Sequence, residues 1–175
     1  MNATVIHEVQ IVGFSVGRET YGVPITALHE IVRVPEITAV PDSPAHIEGV
    51  INLRGKIVSV VDLRKRFDKP ATPFTRHSRI LVVENRDRLV GMIVDSASEV
   101  LKIAENDIEP APAMMKEGGL DCVTGIGKFR KRLIILLDID KVLTVPERQT
   151  HASGDPASAM KAKGKAEAKT ASTGK

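Results

Sequence analysis

The segment whose residue types come nearest to chemistry is Gly49-Val-Ile-Asn-Leu-Arg-Gly55-Lys56, which has the outline of a phosphate loop. Such a loop needs four residues between its glycines and a Ser or Thr after its lysine, because that hydroxyl holds magnesium. Five residues separate these glycines and Ile57 follows Lys56, so the motif fails chemically. Gly125-Ile126-Gly127 lacks the third glycine of a dinucleotide fingerprint and precedes a predicted strand, not a helix. His7, His29, His46, His77 and His151 include no i, i+4 pair and none lies near Cys122, so neither a zinc site nor a Cys/His nucleophile is spelled out. Asp62 and Asp138 are of the type that does acid–base work in pairs. Each, however, closes a predicted strand at the same place in a repeat, where a carboxylate caps a helix. Cys122 reads as a small buried hydrophobe. The residues thus predict no enzyme, with no catalytic, metal or cofactor site.

The elements that carry these residues occur twice. At an offset of 69, Ile11 falls on Ile80, Phe14 on Val83, Gly22 on Gly91, Glu30 on Glu99 and Pro41 on Pro110. At an offset of 76, Gly49 falls on Gly125, Arg54 on Arg130, Ile57 on Leu133 and Asp62 on Asp138, so seven residues are inserted around Met115 to Asp121. Runs of β-branched residues separated by Gly, Pro, Asn and Asp predict strands at 9–16, 20–25, 28–34 and 56–61, then at 79–84, 89–94, 99–103 and 132–137. Hairpin tips are expected at Gly17-Arg18-Glu19 and Asn85-Arg86-Asp87, and short helices at Ser43-Pro44 and after Asp62 and Asp138. Short strands in each module suggest small barrels packed together with a cleft between them.

Composition narrows the partners. The chain has 175 residues, 42% of them apolar, and a formal net charge of +3. Residues 147–175 contain no Ile, Leu, Val or aromatic and hold six cations against three anions, which accounts for all of that charge and leaves residues 1–146 neutral. Such a segment buries too little apolar area to offset its ordering entropy, so a disordered Ala/Lys-rich tail is expected. No apolar stretch reaches the roughly 18 residues of a membrane span. Glu8 and Gln10 break the first apolar run, so no signal peptide is expected and the cytoplasm is the predicted compartment. A nucleic-acid-binding barrel using Lys128 to Arg132 and the tail is an alternative from another class. It calls for stacking aromatics, and aromatics make up only 3% of the chain.

Tyr21-Gly-Val-Pro-Ile, Glu30-Ile-Val, Pro44-Ala-His-Ile-Glu-Gly-Val-Ile-Asn-Leu-Arg-Gly-Lys-Ile and Val61-Asp-Leu-Arg, followed by Val90-Gly-Met-Ile-Val-Asp, Glu99-Val-Leu, Pro110-Ala-Pro and Leu133-Ile-Ile-Leu-Leu-Asp-Ile-Asp, carry a resemblance over residues 9–145. The chain resembles the CheW family of bacterial chemotaxis coupling proteins. The resemblance implies an all-β fold of two SH3-like five-stranded barrel subdomains, with short helices: an N-terminal lead at 1–8, a first barrel at 9–68, a second at 78–146, and the tail beyond. It also implies an adaptor that binds the cytoplasmic tip of a chemoreceptor (a methyl-accepting chemotaxis protein) and the regulatory domain of the histidine kinase CheA. It places the protein in the cytoplasm at membrane-associated receptor arrays, with neither nucleic acid nor membrane insertion. By position, Leu28, Glu30, Gly49, Asn52 and Arg54 are the implied receptor-facing set, and Ile108, Glu109 and Met114 the implied kinase-facing set. For Asn52 to Gly55 two readings stay open: a hairpin turn with Gly55 at positive φ, or a cation presented to a partner. A coupling protein of a non-motility chemosensory array fits the same pattern. Three departures from the family stand out: Ser59 where Pro is frequent, an unusually basic Lys128 to Arg132, and Glu109 where a cation can occur.

Overall fold

The computed structural model describes residues 6–118 and 120–144, apart from the side chains of 98 and 99; the expected tail at 147–175 lies outside the described residues. Alternation of apolar and polar residues produces the strands, as in β3, where every second side chain turns inward. In order, the elements are β1 (Glu8–Val16), β2 (Glu19–Pro24), β3 (Leu28–Arg33), β4 (Ile47–Leu53), β5 (Lys56–Asp62), α1 (Leu63–Arg66), β6 (Arg79–Asn85), β7 (Arg88–Val94), β8 (Ser96–Ala104), β9 (Ile108–Pro110), α2 (Ala113–Glu117), β10 (Val123–Phe129), β11 (Arg132–Leu137) and α3 (Ile139–Leu143). The Asp62 carboxylate accepts from the Arg64 backbone N–H, and that of Asp138 from Lys141, so both aspartates cap helices. No helix forms at Ser43-Pro44. The Ile47 N–H instead closes a turn onto the Pro44 carbonyl at 2.9 Å, and β4 begins at once.

The strands form a six-stranded sheet, β8-β1-β2-β11-β10-β9, and a five-stranded sheet, β3-β6-β7-β5-β4. Neither closes on itself among the described residues, so two closed five-stranded barrels are not what the hydrogen bonding draws. Nor do the sheets follow the expected barrels at 9–68 and 78–146. The β1–β2 hairpin lies among strands of the second repeat, and the β6–β7 hairpin among strands of the first. Replacing each strand by its repeat equivalent turns one order into the other, with the isolated Thr38–Val50 bridge standing where β9 pairs with β10. Even the parallel junctions correspond: β5 with β7, and β11 with β2. The repeats have exchanged their first hairpins.

Packing follows the exchange. One apolar cluster lies within the five-stranded sheet, around Ile51, Val60 and Ile80, and another within the six-stranded sheet, around Ile11, Ile103 and Ile134. The largest draws on both, from Phe14, Tyr21 and Leu137 to Leu81, Val83 and Met92. Phe14, Tyr21 and Phe67 stack there with centroids 6.0 and 5.0 Å apart. Cys122 is fully buried in the same cluster, and burial pushes its thiol pKa up.

A buried ion pair ties the junction. The Arg64 guanidinium donates from Nε and Nη2 to Asp62 at 3.1 and 2.9 Å, and from Nη1 to the Thr72 carbonyl between the repeats. Asp95, 3.6 Å from Arg64, accepts from the Gly17 N–H at the β1–β2 tip at 2.7 Å.

Two predictions follow from this packing. Gly49 has φ +152, and a Cβ there would stand 2.1 Å from the Thr38 carbonyl oxygen; one at Gly125 would stand 2.8 Å from the Glu109 oxygen without a positive φ. Gly49→Ala should therefore cost roughly 2–4 kcal/mol in urea unfolding, and more than Gly125→Ala; equal costs would contradict the assignment. Burial, with the Glu19 charge second, pushes Tyr21 from 10.0 up to about 12. Between those values the unfolded chain ionises first, so stability should fall as pH rises through that window, and Tyr21→Phe should flatten the fall in thermal midpoint.

Candidate functional site

The β4–β5 hairpin turns in two residues between the paired Leu53 and Lys56. Arg54 has φ 51 and Gly55 φ 85, the pattern of a type I′ turn, whose twist suits adjacent strands. Asn52 Oδ1 accepts from the Gly55 N–H at 2.8 Å and fixes the turn. The hairpin reading of Asn52 to Gly55 therefore holds, and the Arg54 side chain still projects into solvent with 82% of it exposed. Its Nη2 donates to Glu30 Oε2 on β3 at 3.0 Å, and the Glu30 side chain is only 19% exposed. Glu30, Asn52 and Arg54 therefore meet. Leu28 packs against the shared core and Gly49 lies under Thr38, so both have structural work to do.

Ile57 adds what the sequence reading missed. It is 71% exposed and pairs across the hairpin with Asn52, setting an apolar side chain beside the polar turn. Its repeat equivalent, Leu133, is 61% exposed, and a second equivalent pair, Ile31 and Val100, is exposed too. Matched positions therefore do not all serve the core; for Ile31 and Val100 the available signal was their place on the polar phase of their strands, beside His29 and Arg33 and beside Lys102.

Ile108 and Glu109 lie on β9, at an edge of the six-stranded sheet. Ile108 packs inward on the Ile103 cluster, while Glu109 points out and pairs with Lys128 on β10, whose pKa this hydrogen bond raises. A cation in the basic loop thus meets the unexpected acid. Met114 on α2, a helix not anticipated from sequence, is 82% exposed. Ile108 and Glu109 belong to the other sheet from Glu30 and Arg54, and Met114 to the helix that follows β9. The nucleic-acid alternative calls for exposed rings beside its cations, but three of the five aromatics are stacked inside the core.

An all-β body that joins duplicated sheets through one core, with exposed apolar and ion-paired features on both, has the build of a scaffold or adaptor. The family model for the CheW-like domain matches residues 10–147. The chain is 35% identical over 134 residues to chemotaxis protein CheW of Klebsiella aerogenes, covering 77% of this chain and 81% of the relative, and 34% identical over 141 residues to that of Bacillus subtilis, covering 81% and 90%. The crystal structure of scaffolding protein TtCheW from Thermoanaerobacter tengcongensis superposes with a TM-score of 0.72 at 39% identity, over 79% of this chain and 94% of that one. The chain belongs to the CheW-like family, and it is a chemotaxis scaffold or adaptor.

The turn geometry separates side chain from fold. Arg54→Asn gives the Asn-Gly dipeptide that type I′ turns prefer, so unfolding free energy should stay level or rise by up to about 1 kcal/mol. A clear loss in chemical denaturation would show that the Arg54–Glu30 pair holds the fold.

Proposed function

We propose that the protein couples chemoreceptor cytoplasmic tips to the histidine kinase CheA, at membrane-associated arrays in the cytoplasm and without catalysis of its own. The observation that carries this reading is the Glu30–Arg54 pair, set on a fixed hairpin beside the exposed Ile57. A receptor tip is a helical hairpin. An apolar anchor with a charged rim is what an amphipathic helix needs from a docking surface. Leu28 and Gly49 shape that surface from beneath, and Asn52 holds its turn. Ile108, Glu109 and Met114 form the second contact, to the kinase regulatory domain, with Met114 as its adaptable apolar element. Family membership supports both assignments. Separate sheets would let both partners be held at once.

Arg54→Asp tests the first contact cleanly, because Asp-Gly also suits a type I′ turn. Co-sedimentation with receptor-containing membranes should weaken about tenfold or more while binding to the CheA regulatory domain is retained. Met114→Asp should do the reverse. Receptor binding untouched by Arg54→Asp rejects the role of Arg54, and kinase binding untouched by Met114→Asp rejects that of Met114.

A further inference from the structure

In the register of β3 with β6, Arg33 stands directly opposite Arg79. Like charges facing each other across an antiparallel pair are unfavourable, and folds ordinarily place an acid nearby. No acid pairs with them: among the described residues, neither of these arginines nor the adjacent Arg76 forms an ion pair. All three line one open cleft of about 660 Å³, together with His77, Ser78 and Phe74. That volume falls in the range of small-molecule sites.

The exchanged repeat supplies an internal control. In the other sheet the structurally equivalent pair is Gln10 opposite Lys102, and His7 occupies the place of Arg76. The fold is therefore made without the arginine pair, and the charge is a property of this cleft alone. Arg79 and Arg76 are oriented: Arg79 Nη1 donates to the Arg76 and Ser78 carbonyls, both at 2.8 Å, and Arg76 Nε donates to His77 Nε2 at 3.0 Å. Arg33 donates to no protein acceptor among the described residues, which leaves its whole guanidinium for a ligand. Phe74 closes one side. Its ring is held by the Arg64 guanidinium 4.9 Å from the centroid, and 41% of the residue remains exposed.

We propose that this cleft binds a phosphate-bearing small molecule of about nucleotide size, its phosphate oxygens on Arg33 and Arg79 with Arg76 at the rim, and its flat or apolar part against Phe74. Guanidinium forks suit phosphate because two parallel N–H donors match two oxygens. A bound dianion also supplies the negative charge that the Arg33–Arg79 pair lacks.

Isothermal titration of the full chain with pyrophosphate, with ATP and with a ten-residue glutamate peptide tests this, alongside the Arg33→Gln variant. Pyrophosphate or ATP should bind at one site, and Arg33→Gln should weaken that binding about tenfold or more. ATP binding more tightly than pyrophosphate would support contact with Phe74. Without ligand, Arg33→Gln should melt at the same temperature as the parent or higher, since it removes a like-charge contact; a lower midpoint would make Arg33 a residue of the fold and overturn the proposal. So would phosphate binding that Arg33→Gln leaves unchanged, no binding by either phosphate probe, or binding of the glutamate peptide alone, which would give the patch to a protein partner.

Discussion

Each sheet is completed by a hairpin that belongs to the other half of the sequence, and the rest of the molecule depends on that exchange. Each hairpin is joined on one side by a parallel pair, β7 on β5 and β2 on β11, which no local hairpin can make, and on the other by an antiparallel one, β6 on β3 and β1 on β8. Neither repeat has a sheet of its own. The apolar cluster around Phe14, Leu81 and Met92 belongs to both sheets for the same reason. At one joint, Arg64 and Asp95 link the end of β5, the segment between the repeats, the end of β7 and the β1–β2 tip. Removing one partner of a pair as buried as Asp62–Arg64 leaves an uncompensated charge, so the clasp is strict about its members even where its net contribution is small. For a scaffold the consequence is mechanical. A surface on one sheet cannot shift relative to a surface on the other without repacking the common core, which would fix the spacing between anything bound to the two.

Duplication lets the fold be compared with itself. Gly49 and Gly125 meet the same constraint, the backbone of a neighbouring segment lying where a side chain would be, and Gly22 and Gly91 each lie against an isoleucine, Ile11 and Ile80. Asp62 and Asp138 cap equivalent helices. These are requirements of the sheet, met twice. Arg64 has no such counterpart, since Asp140 takes its place, and Arg33 opposite Arg79 corresponds to Lys102 opposite Gln10. Where the halves differ, the residue answers to something only one half has: for Arg64 the segment between the repeats, for Arg33 and Arg79 the cleft beside Phe74. Ile57 and Leu133 form a third kind, repeated yet exposed, and repetition on a surface points to two similar contacts rather than to a core.

Strand positions were legible because β-branched runs bounded by Gly, Asp and Asn state them directly, and β1, β2, β6, β7 and β11 lie within a residue of expectation. β4 and β10 were harder. Gly49 and Gly125 interrupt both runs, and each glycine marks a bulge in the pairing register rather than an end. The exchange of hairpins left no trace in the sequence, since either repeat carries every strand that either sheet requires, and the choice between self-pairing and cross-pairing is made by tertiary packing. At the site, the meeting of Glu30 with Arg54 across 24 residues was implied only by family position. Ile57, matched to Leu133 in the repeat, was not singled out as an exposed apolar residue, since neither its type nor its match separates it from a core residue.

Arg54 itself shows how far local geometry can speak for function. A non-glycine residue at positive φ is conformationally unfavourable, and Asn would fit the turn better, which suggests a side chain kept for another purpose. Yet Arg86 and Arg130 sit at φ 47 and 45 in their own hairpins, so strain alone does not single Arg54 out. What distinguishes it is Glu30. A half-buried carboxylate on β3 holds the guanidinium over the sheet while leaving most of it in solvent, so the donors are oriented before any partner arrives. The exposed pair contributes little to stability. Under the proposed coupling role its worth would lie in direction: a charge held in place beside Ile57 would discriminate between helices that share the same apolar face, which an apolar patch by itself does poorly.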